Sequence, residues 1–492
     1  MTSSLPAHWF LPAAERPWTR GNAVTPLVHG ASYFARLVEV VAATRAGDLV
    51  WLTDWRGDAD ERLTPSGPTV GDLFASAARR GVDVRVLLWR SHTDRTSFSA
   101  QENEHLGRLV NDAGGCALLD ERVRRGGSHH QKLVVVRHRD DPHRDVAFVG
   151  GIDLCHSRRD DELHGGDPQH QPMDRRYGPS PPWHDAMVEI RGPAVRDVQD
   201  TFAQRWSDPT PVDHRNPYRR LQQRRADMPR HAPPLPPLAA PPAEAGTHAV
   251  QVLRTYGAKR PPFPFAPRGE RSIARGYQHA FAHARRLIYV EDQYLWSDLV
   301  ASALAAALRR EPRLQVIAVV PHHPDNDGRF SGPPNRLGQQ AAIRMLSDAG
   351  GARFGVFDLH NAAGVPVYVH AKICIVDDTW MTCGSDNFNR RSWTHDSEIT
   401  SAVVDEEGEL PRRLRVQLWA EHLQLDRDDG ALLDIDRATQ LWRERAMTPQ
   451  SRIAPHRVEP VGRLARVWAT PLYRTVYDPD GRPMSVRRRG EF

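Results

Sequence analysis

VYVHAKICIVDDTWMTCGSDNFNRRSW, residues 367–393, decides both the fold and the class of chemistry. It places Lys372 two residues after His370, in a chain that otherwise relies on arginine. Of 66 lysines and arginines only three are lysine: Lys132, Lys259 and Lys372. A second His-x-Lys stands at His130-Gln131-Lys132. With 24 histidines in 492 residues, chance would rarely place two of three lysines this way. An apolar, strand-like run follows each pair: LVVV at 133–136 and ICIV at 373–376. In a strand, residues i and i+2 project from the same face, so each histidine shares a face with its lysine. A second strand-like run then ends in small residues, Val146–Val149 into Gly150-Gly151 and Trp380–Cys383 into Gly384-Ser385. Small residues there let a ligand approach the backbone closely. Polar groups come next, Asp153 in GGID and Ser385 and Asn387 in GSDN.

Outward from these motifs, the chain repeats itself. Residues 225–246 are rich in Pro and Ala and read as an extended linker within 213–248. On either side the order of elements is the same. A helical segment feeds an apolar strand: Tyr33–Thr44 then DLVWLTDW, and RSIARGYQHAFAHARR then LIYVEDQYLW. A further helix and strand follow: TVGDLFASAARRGVDVRVLLW, and LVASALAAALRR with LQVIAVV. Alternating helices and strands predict an α/β fold with a mixed or parallel sheet, and two copies predict duplication about a pseudo-twofold axis. The expected organisation is an N-terminal extension at 1–23, a first lobe at 24–212, a second at 249–425 and a C-terminal extension at 426–492. In that extension LLDIDRATQLWRERA reads as a helix. RVWATPLYRTVYDPDGRPMSV reads as a hairpin turning at DPDG.

Composition bounds the rest. A chain of 492 residues with 40% hydrophobic residues can build two or three cores. Its formal charge of +5 permits an anionic partner without demanding one. The four cysteines, Cys116, Cys155, Cys374 and Cys383, form no C-x-x-C pair, and free thiols are expected. No signal peptide and no run long enough to span a membrane is seen, so a cytoplasmic protein, peripheral to the membrane, is expected; a monomer is expected as well.

A compact lysine charge beside a neutral imidazole suits a phosphoryl group: the ammonium meets a non-bridging oxygen and the imidazole attacks phosphorus or moves a proton. Phosphodiester exchange needs one group to attack and one to protonate the departing alkoxide. One half supplies one histidine, so the two halves are expected to meet face to face. A single His-x-Lys in a strand is more often a solvated edge; two copies at equivalent places with glycine exits reverse that reading. No metal or other cofactor is expected, because a lysine beside each histidine would repel a cation.

These residues resemble the phospholipase D superfamily, whose signature is H-x-K-x4-D-x6-G-S-x-N. The second copy matches in full at His370, Lys372, Asp377, Gly384, Ser385 and Asn387. The first departs from it. Arg137 stands where Asp is expected, the turn 137–145 is enlarged so that Asp145 is a candidate substitute, and Gly150-Gly151-Ile152-Asp153 replaces G-S-x-N. Further stretches, among them PWHDAMVEIRGP, IYVEDQY, THDSEI and LWAEHL, resemble the lipid-acting eukaryotic-type branch over about residues 24–425.

The resemblance implies two α/β/α lobes, each with a central mixed sheet, and an active site at the lobe interface. It implies a covalent phosphohistidine, with His130 attacking and His370 acting as acid and then base. Asp185 and Glu398 would orient the imidazoles, with Asp396 as the fallback. Lys132, Lys372, Asn387, Ser385 and Asp153 would bind the substrate phosphate. Asp377, Gly150, Gly151 and Gly384 would be structural. The implied substrate is a phospholipid at a membrane surface. The alternatives are a cardiolipin or phosphatidylserine synthase, a nuclease (disfavoured because the arginines are dispersed), and a lipid-binding scaffold without activity. The loops 261–269 and 322–335 are candidates for headgroup contact.

Overall fold

The computed structural model describes residues 5–90, 100–212, 221, 228–237, 240–324 and 332–492. Part of the expected linker (213–220, 222–227 and 238–239) and the middle of one candidate loop (325–331) lie outside the described residues.

The first half contributes β1 (Thr19–Val28), β2 (Leu49–Asp54), β3 (Asp83–Trp89), β4 (Cys116–Asp120), β5 (Leu133–Arg137), β6 (Val146–Gly150), β7 (Trp183–His184) and β8 (Ala186–Arg191). The second half contributes β9 (His248–Tyr256), β10 (Glu270–Arg271), β11 (Leu287–Glu291), β12 (Gln315–Val319), β13 (Phe354–Leu359), β14 (Tyr368–Val369), β15 (Ile373–Val376), β16 (Trp380–Gly384), β17 (Ser397–Val404) and β18 (Ile453–Pro455). From the outer edge inward, the first half runs β4-β3-β2-β5-β6-β8-β1 and the second β13-β12-β11-β15-β16-β17-β9, the same path walked twice. β2 pairs in parallel with β3 and antiparallel with β5, and β11 does the same with β12 and β15.

Each lobe was expected to hold its own sheet. Instead β1 and β9 pair antiparallel (Thr19↔Val250, Asn22↔His248), and the halves fuse into one 16-stranded mixed sheet. Each of these strands would otherwise be an open edge, and their free backbone groups satisfy one another. A helix-sheet-helix sandwich requires strands buried on both faces, and β2, β5, β6 and β11 are buried at every residue. The helices Gly30–Ala42 and Val70–Arg79 pack on one face of the first half. Ala194–Trp206 and Leu410–Leu423 pack on the other face, in a core that both halves share. The four cysteines are unpaired.

The ends of the chain are woven in. β1 starts at Thr19, inside the segment expected as an extension, and β18 adds an antiparallel edge to β13. Residues Ile435–Ala446 form the expected helix. The expected hairpin is not formed: Arg463–Leu472 is a helix, Tyr473–Tyr477 a π-helical turn and Met484–Arg488 a short helix. The reason is legible in the spacing, since Leu464, Trp468, Leu472 and Val476 recur every four residues, a helical period. The DPDG bend is held by the second half, with Asp478 Oδ1 accepting the Arg391 N–H at 2.8 Å.

Candidate active site

Each His-x-Lys lies in extended chain one residue ahead of its strand, β5 or β15. Backbone hydrogen bonds tie each to the opposite half. The His130 N–H donates to Ser397 O (3.0 Å), and the His370 and Ala371 N–H groups donate to His184 O (2.8 and 3.1 Å). The side chains cross in the same way. His130 Nδ1 lies 2.9 Å from Glu398 Oε2, and His370 Nδ1 lies 2.6 Å from Asp185 Oδ2. So the residue after Ser397 holds the first imidazole, and the residue after His184 holds the second. An imidazole that gives its Nδ1–H to a carboxylate keeps the Nε2 lone pair for chemistry.

The lysines bring the two halves into one field. Lys132 Nζ pairs with Asp153 Oδ1 at 3.1 Å and donates to His130 O at 3.2 Å. Lys372 donates to His370 O, the same lysine-to-histidine bond within the second pair. A Cβ placed on Gly151 of the first motif would lie 3.2 Å from Lys372 Cδ of the second. Burial lowers the Lys372 ammonium to about 8, against the pull of Asp185 and Asp292. Burial, then Lys372 and Arg158, hold His370 well below the usual histidine range; Lys132 adds to this and Asp153 opposes it. At neutral pH His370 is therefore an uncharged imidazole. The third lysine stays out of the site, paired with Asp208 at 3.0 Å and set over Phe263.

The departures of the first motif now have causes. Ser385 Oγ donates to Glu398 Oε2 at 2.5 Å and accepts the Ile399 N–H. At the matching place, a Cβ on Gly151 would stand 2.2 Å from Asp185 Oδ1, so a serine does not fit. Asp185 Oδ1 accepts the Ala186 N–H (2.8 Å) instead. Gly150 and Gly384 are equally tight, their Cβ positions lying 2.5 Å from Ala186 O and 2.1 Å from Thr400 Oγ1. Asp153, which replaces Asn387, is gripped by Lys132 and Arg158; although burial would raise its pKa, these cations hold it far below the carboxylate range. Asn387 is buried and its Oδ1 has no hydrogen-bond partner.

The enlarged turn is also accounted for. Asp377 accepts the N–H groups of Arg285, Arg286 and Leu287, fastening the β15–β16 turn to the start of β11. Asp145 does not take that part, since it binds Arg137 Nε (2.7 Å) and the His138 N–H. The fastening comes from the other side: Asp48, just before β2, accepts the Arg139 N–H of the turn at 2.9 Å. Asp396 is not at the site either, because it pairs with Arg391 and accepts the Ser128 N–H.

Five residues around the site lay outside the sequence reading. Trp183 lies 5.1 Å from His370 and Trp55 6.3 Å from His130, ring to ring, forming apolar walls. Arg158 stacks 3.9 Å over Trp183. Asp54 ends β2 and Asp292 directly follows β11; they accept the N–H groups of Leu154 and Phe388, the residues after Asp153 and Asn387. Burial raises both, and Asp153 pushes Asp54 further. The last pair had a signal, an aspartate at the same place in both repeats (LTDW, VEDQ); Arg158 has no counterpart and had none.

Among protein families, one described as Phospholipase D matches residues 42–303, and one described as Cardiolipin synthase, PLD-like domain, matches residues 277–419. Phospholipase D alpha 1 of Vigna unguiculata is 27% identical, aligning over 82% of this chain and 66% of that protein. Phospholipase D alpha 2 of Arabidopsis thaliana is 27% identical over 78% of this chain and 63% of its own length. The chain thus spans just under two thirds of these relatives. The crystal structure of phosphatidylserine synthase from Haemophilus influenzae Rd KW20 overlays with a TM-score of 0.56 across 95% of both chains. At 14% identity that likeness is one of fold.

Proposed function

Because this chain belongs to the phospholipase D superfamily, we propose that it is a phosphodiesterase that cleaves or exchanges the headgroup of a glycerophospholipid through a phosphohistidine. The observation that supports this most is the crossed pairing of His130 with Glu398 and His370 with Asp185, which gives each half an oriented imidazole supplied by both halves.

In this reading Nε2 of one histidine attacks phosphorus. The bond from phosphorus to the headgroup oxygen breaks, and the other histidine gives that oxygen its proton. Water or an alcohol then yields a proton to the same imidazole and displaces the phosphohistidine nitrogen. Lys132, Lys372 and Asn387 meet the charge on the phosphoryl oxygens. Asp153 acts through Lys132, fixing the ammonium, rather than on phosphate directly. Sequence reasoning gave the attack to His130. The surroundings of His370 favour the reverse, since burial, Lys372, Arg158 and Lys132 lower its pKa and so favour the uncharged imidazole that a nucleophile needs.

No helix among the described residues is long and apolar enough to cross a membrane, and we place the enzyme at the membrane surface. The test is direct. The full chain is incubated with phosphatidylcholine vesicles, with and without ethanol, in parallel with phosphatidylglycerol vesicles and with plasmid DNA. Release of choline, with phosphatidic acid or phosphatidylethanol, is expected. Cardiolipin formed from phosphatidylglycerol in the absence of choline release would favour the phosphatidyltransferase reading. Nicked plasmid without lipid turnover, or no turnover by folded protein, would contradict the assignment.

A further inference from the structure

Beneath the second half-site lies a buried cluster that the reaction above does not use. His29 follows β1, His164 lies in the loop after β6, His184 ends β7 and Glu421 sits on the helix Leu410–Leu423. Four distant segments thus converge on one point. One ligand atom from each residue lies within 4.8 Å of all the others. His29 Nε2 is 2.9 Å from Glu421 Oε2, His164 Nε2 is 3.0 Å from Glu421 Oε1, and His184 Nδ1 is 3.8 Å from that same oxygen.

We propose that His29, His164, His184 and Glu421 bind a transition-metal dication, with zinc the best fit, and that this ion braces the β7–β8 junction carrying Asp185.

Three imidazole nitrogens and one carboxylate oxygen are a common zinc donor set, and the ligands of a tetrahedral zinc stand about 3.3 Å apart when bond lengths are near 2.0–2.1 Å. Around the single oxygen Glu421 Oε1, the His164 and His184 spacings of 3.0 and 3.8 Å bracket that value. His184 Nδ1 has no hydrogen-bond partner although it is wholly buried, and 3.8 Å from Glu421 is too long for a hydrogen bond. The separation suits two ligands of one ion.

The second layer is also that of a metal site. His184 Nε2 is 2.8 Å from Glu291 Oε2, leaving Nδ1 to face the cluster; Tyr289 donates to Glu291 at 2.6 Å and His422 adds 2.9 Å from its Nε2. Charge points the same way. Glu291, fully buried, and Glu421, with its side chain only 8% exposed, are two carboxylates within one histidine cluster, and a dication balances both with every imidazole neutral. His29 and His164 are held at φ of +68° and +56°, two of only nine non-glycine residues in that region among those described. That backbone cost suits side chains whose direction is fixed by a ligand.

The consequence for catalysis is positional. His184 O accepts the N–H of His370, and Asp185, next in chain, holds the His370 imidazole. The equivalent position in the other half is Ser397, which is braced by Arg205 (2.9 Å) and through it by Asp120 (2.7 Å), and among the described residues no metal-spaced histidine cluster stands there.

The experiment uses the full chain. Metal content is measured after purification, then the protein is stripped with a chelator and reloaded with Zn2+ or Co2+. One zinc per chain is expected, with tetrahedral d–d bands for the cobalt form and a thermal midpoint that rises several degrees on reloading. His164→Gln and Glu421→Gln should each lose the ion, whereas His143→Gln, in an exposed turn, should keep it. A stripped chain with an unchanged midpoint and no tight Zn2+ binding would overturn the proposal and leave an imidazolium–carboxylate network. Zinc bound equally by wild type and both cluster variants would overturn it as well. Because stripping and reloading use wild-type protein, a variant that fails to fold leaves the test intact. The readouts are also independent of which lipid is turned over.

Discussion

Under His130 the carboxylate is Glu398, steadied by Ser385; under His370 it is Asp185, one methylene shorter, with bare Gly151 where the serine would stand. The floors differ too, an arginine–aspartate pair under one and histidines with glutamates under the other. Yet both imidazoles end with Nδ1 on a carboxylate from the opposite half. Duplication preserved the geometry while its supports diverged. A motif letter can therefore change without loss where a neighbour changes with it.

The strongest way to break that equivalence is to remove either imidazole. His130→Ala and His370→Ala should each lower turnover at least about 10⁴-fold, because nucleophile and acid act as a unit. A variant that kept a tenth of the activity would show that one half works alone. Next come the orienting groups. Glu398→Gln and Asp185→Asn should each cost about 10²–10⁴ in kcat by disturbing tautomer and ring orientation. A large loss in only one of them would show that the two supports are unequal.

Exchanging the small residues sharpens the comparison. Gly151→Ser puts a Cβ into Asp185 and should cost about 10², as small misplacements do. Ser385→Gly removes two hydrogen bonds, the one to the charged Glu398 worth about 1.5–3 kcal/mol, and should cost about tenfold. Equal losses in kcat would refute the steric account of the first motif. The smallest effect concerns stability. Asp377→Ala frees three N–H groups and should cost about 2–3 kcal/mol in denaturant unfolding. Asp48→Ala frees two and should cost less. The opposite order would mean that the first turn is anchored elsewhere.

Much of this was legible before any coordinates. The His-x-Lys pairs stood out because lysine is rare here and strand periodicity puts both side chains on one face. The repeated order of helices and strands showed the lobes. The crossing was not legible, because it depends on contacts such as β7 with β14, two residues each and 185 positions apart, which leave no local pattern. Asp145 was a reasonable substitute for the missing aspartate, but an acid placed before β2 does the fastening and no motif marks it. The tail was misread because a turn signal at DPDG outweighed a clear four-residue period.

The central claim is that two imidazoles flank a single phosphorus atom. It is tested most directly by rapid-quench labelling with a ³²P-phosphodiester whose leaving group needs no acid. One phosphohistidine per chain should accumulate in the variant lacking the acid–base histidine and be absent from the variant lacking the nucleophile. Equal labelling of both variants, or labelling of neither while the wild type turns over, would contradict the shared site.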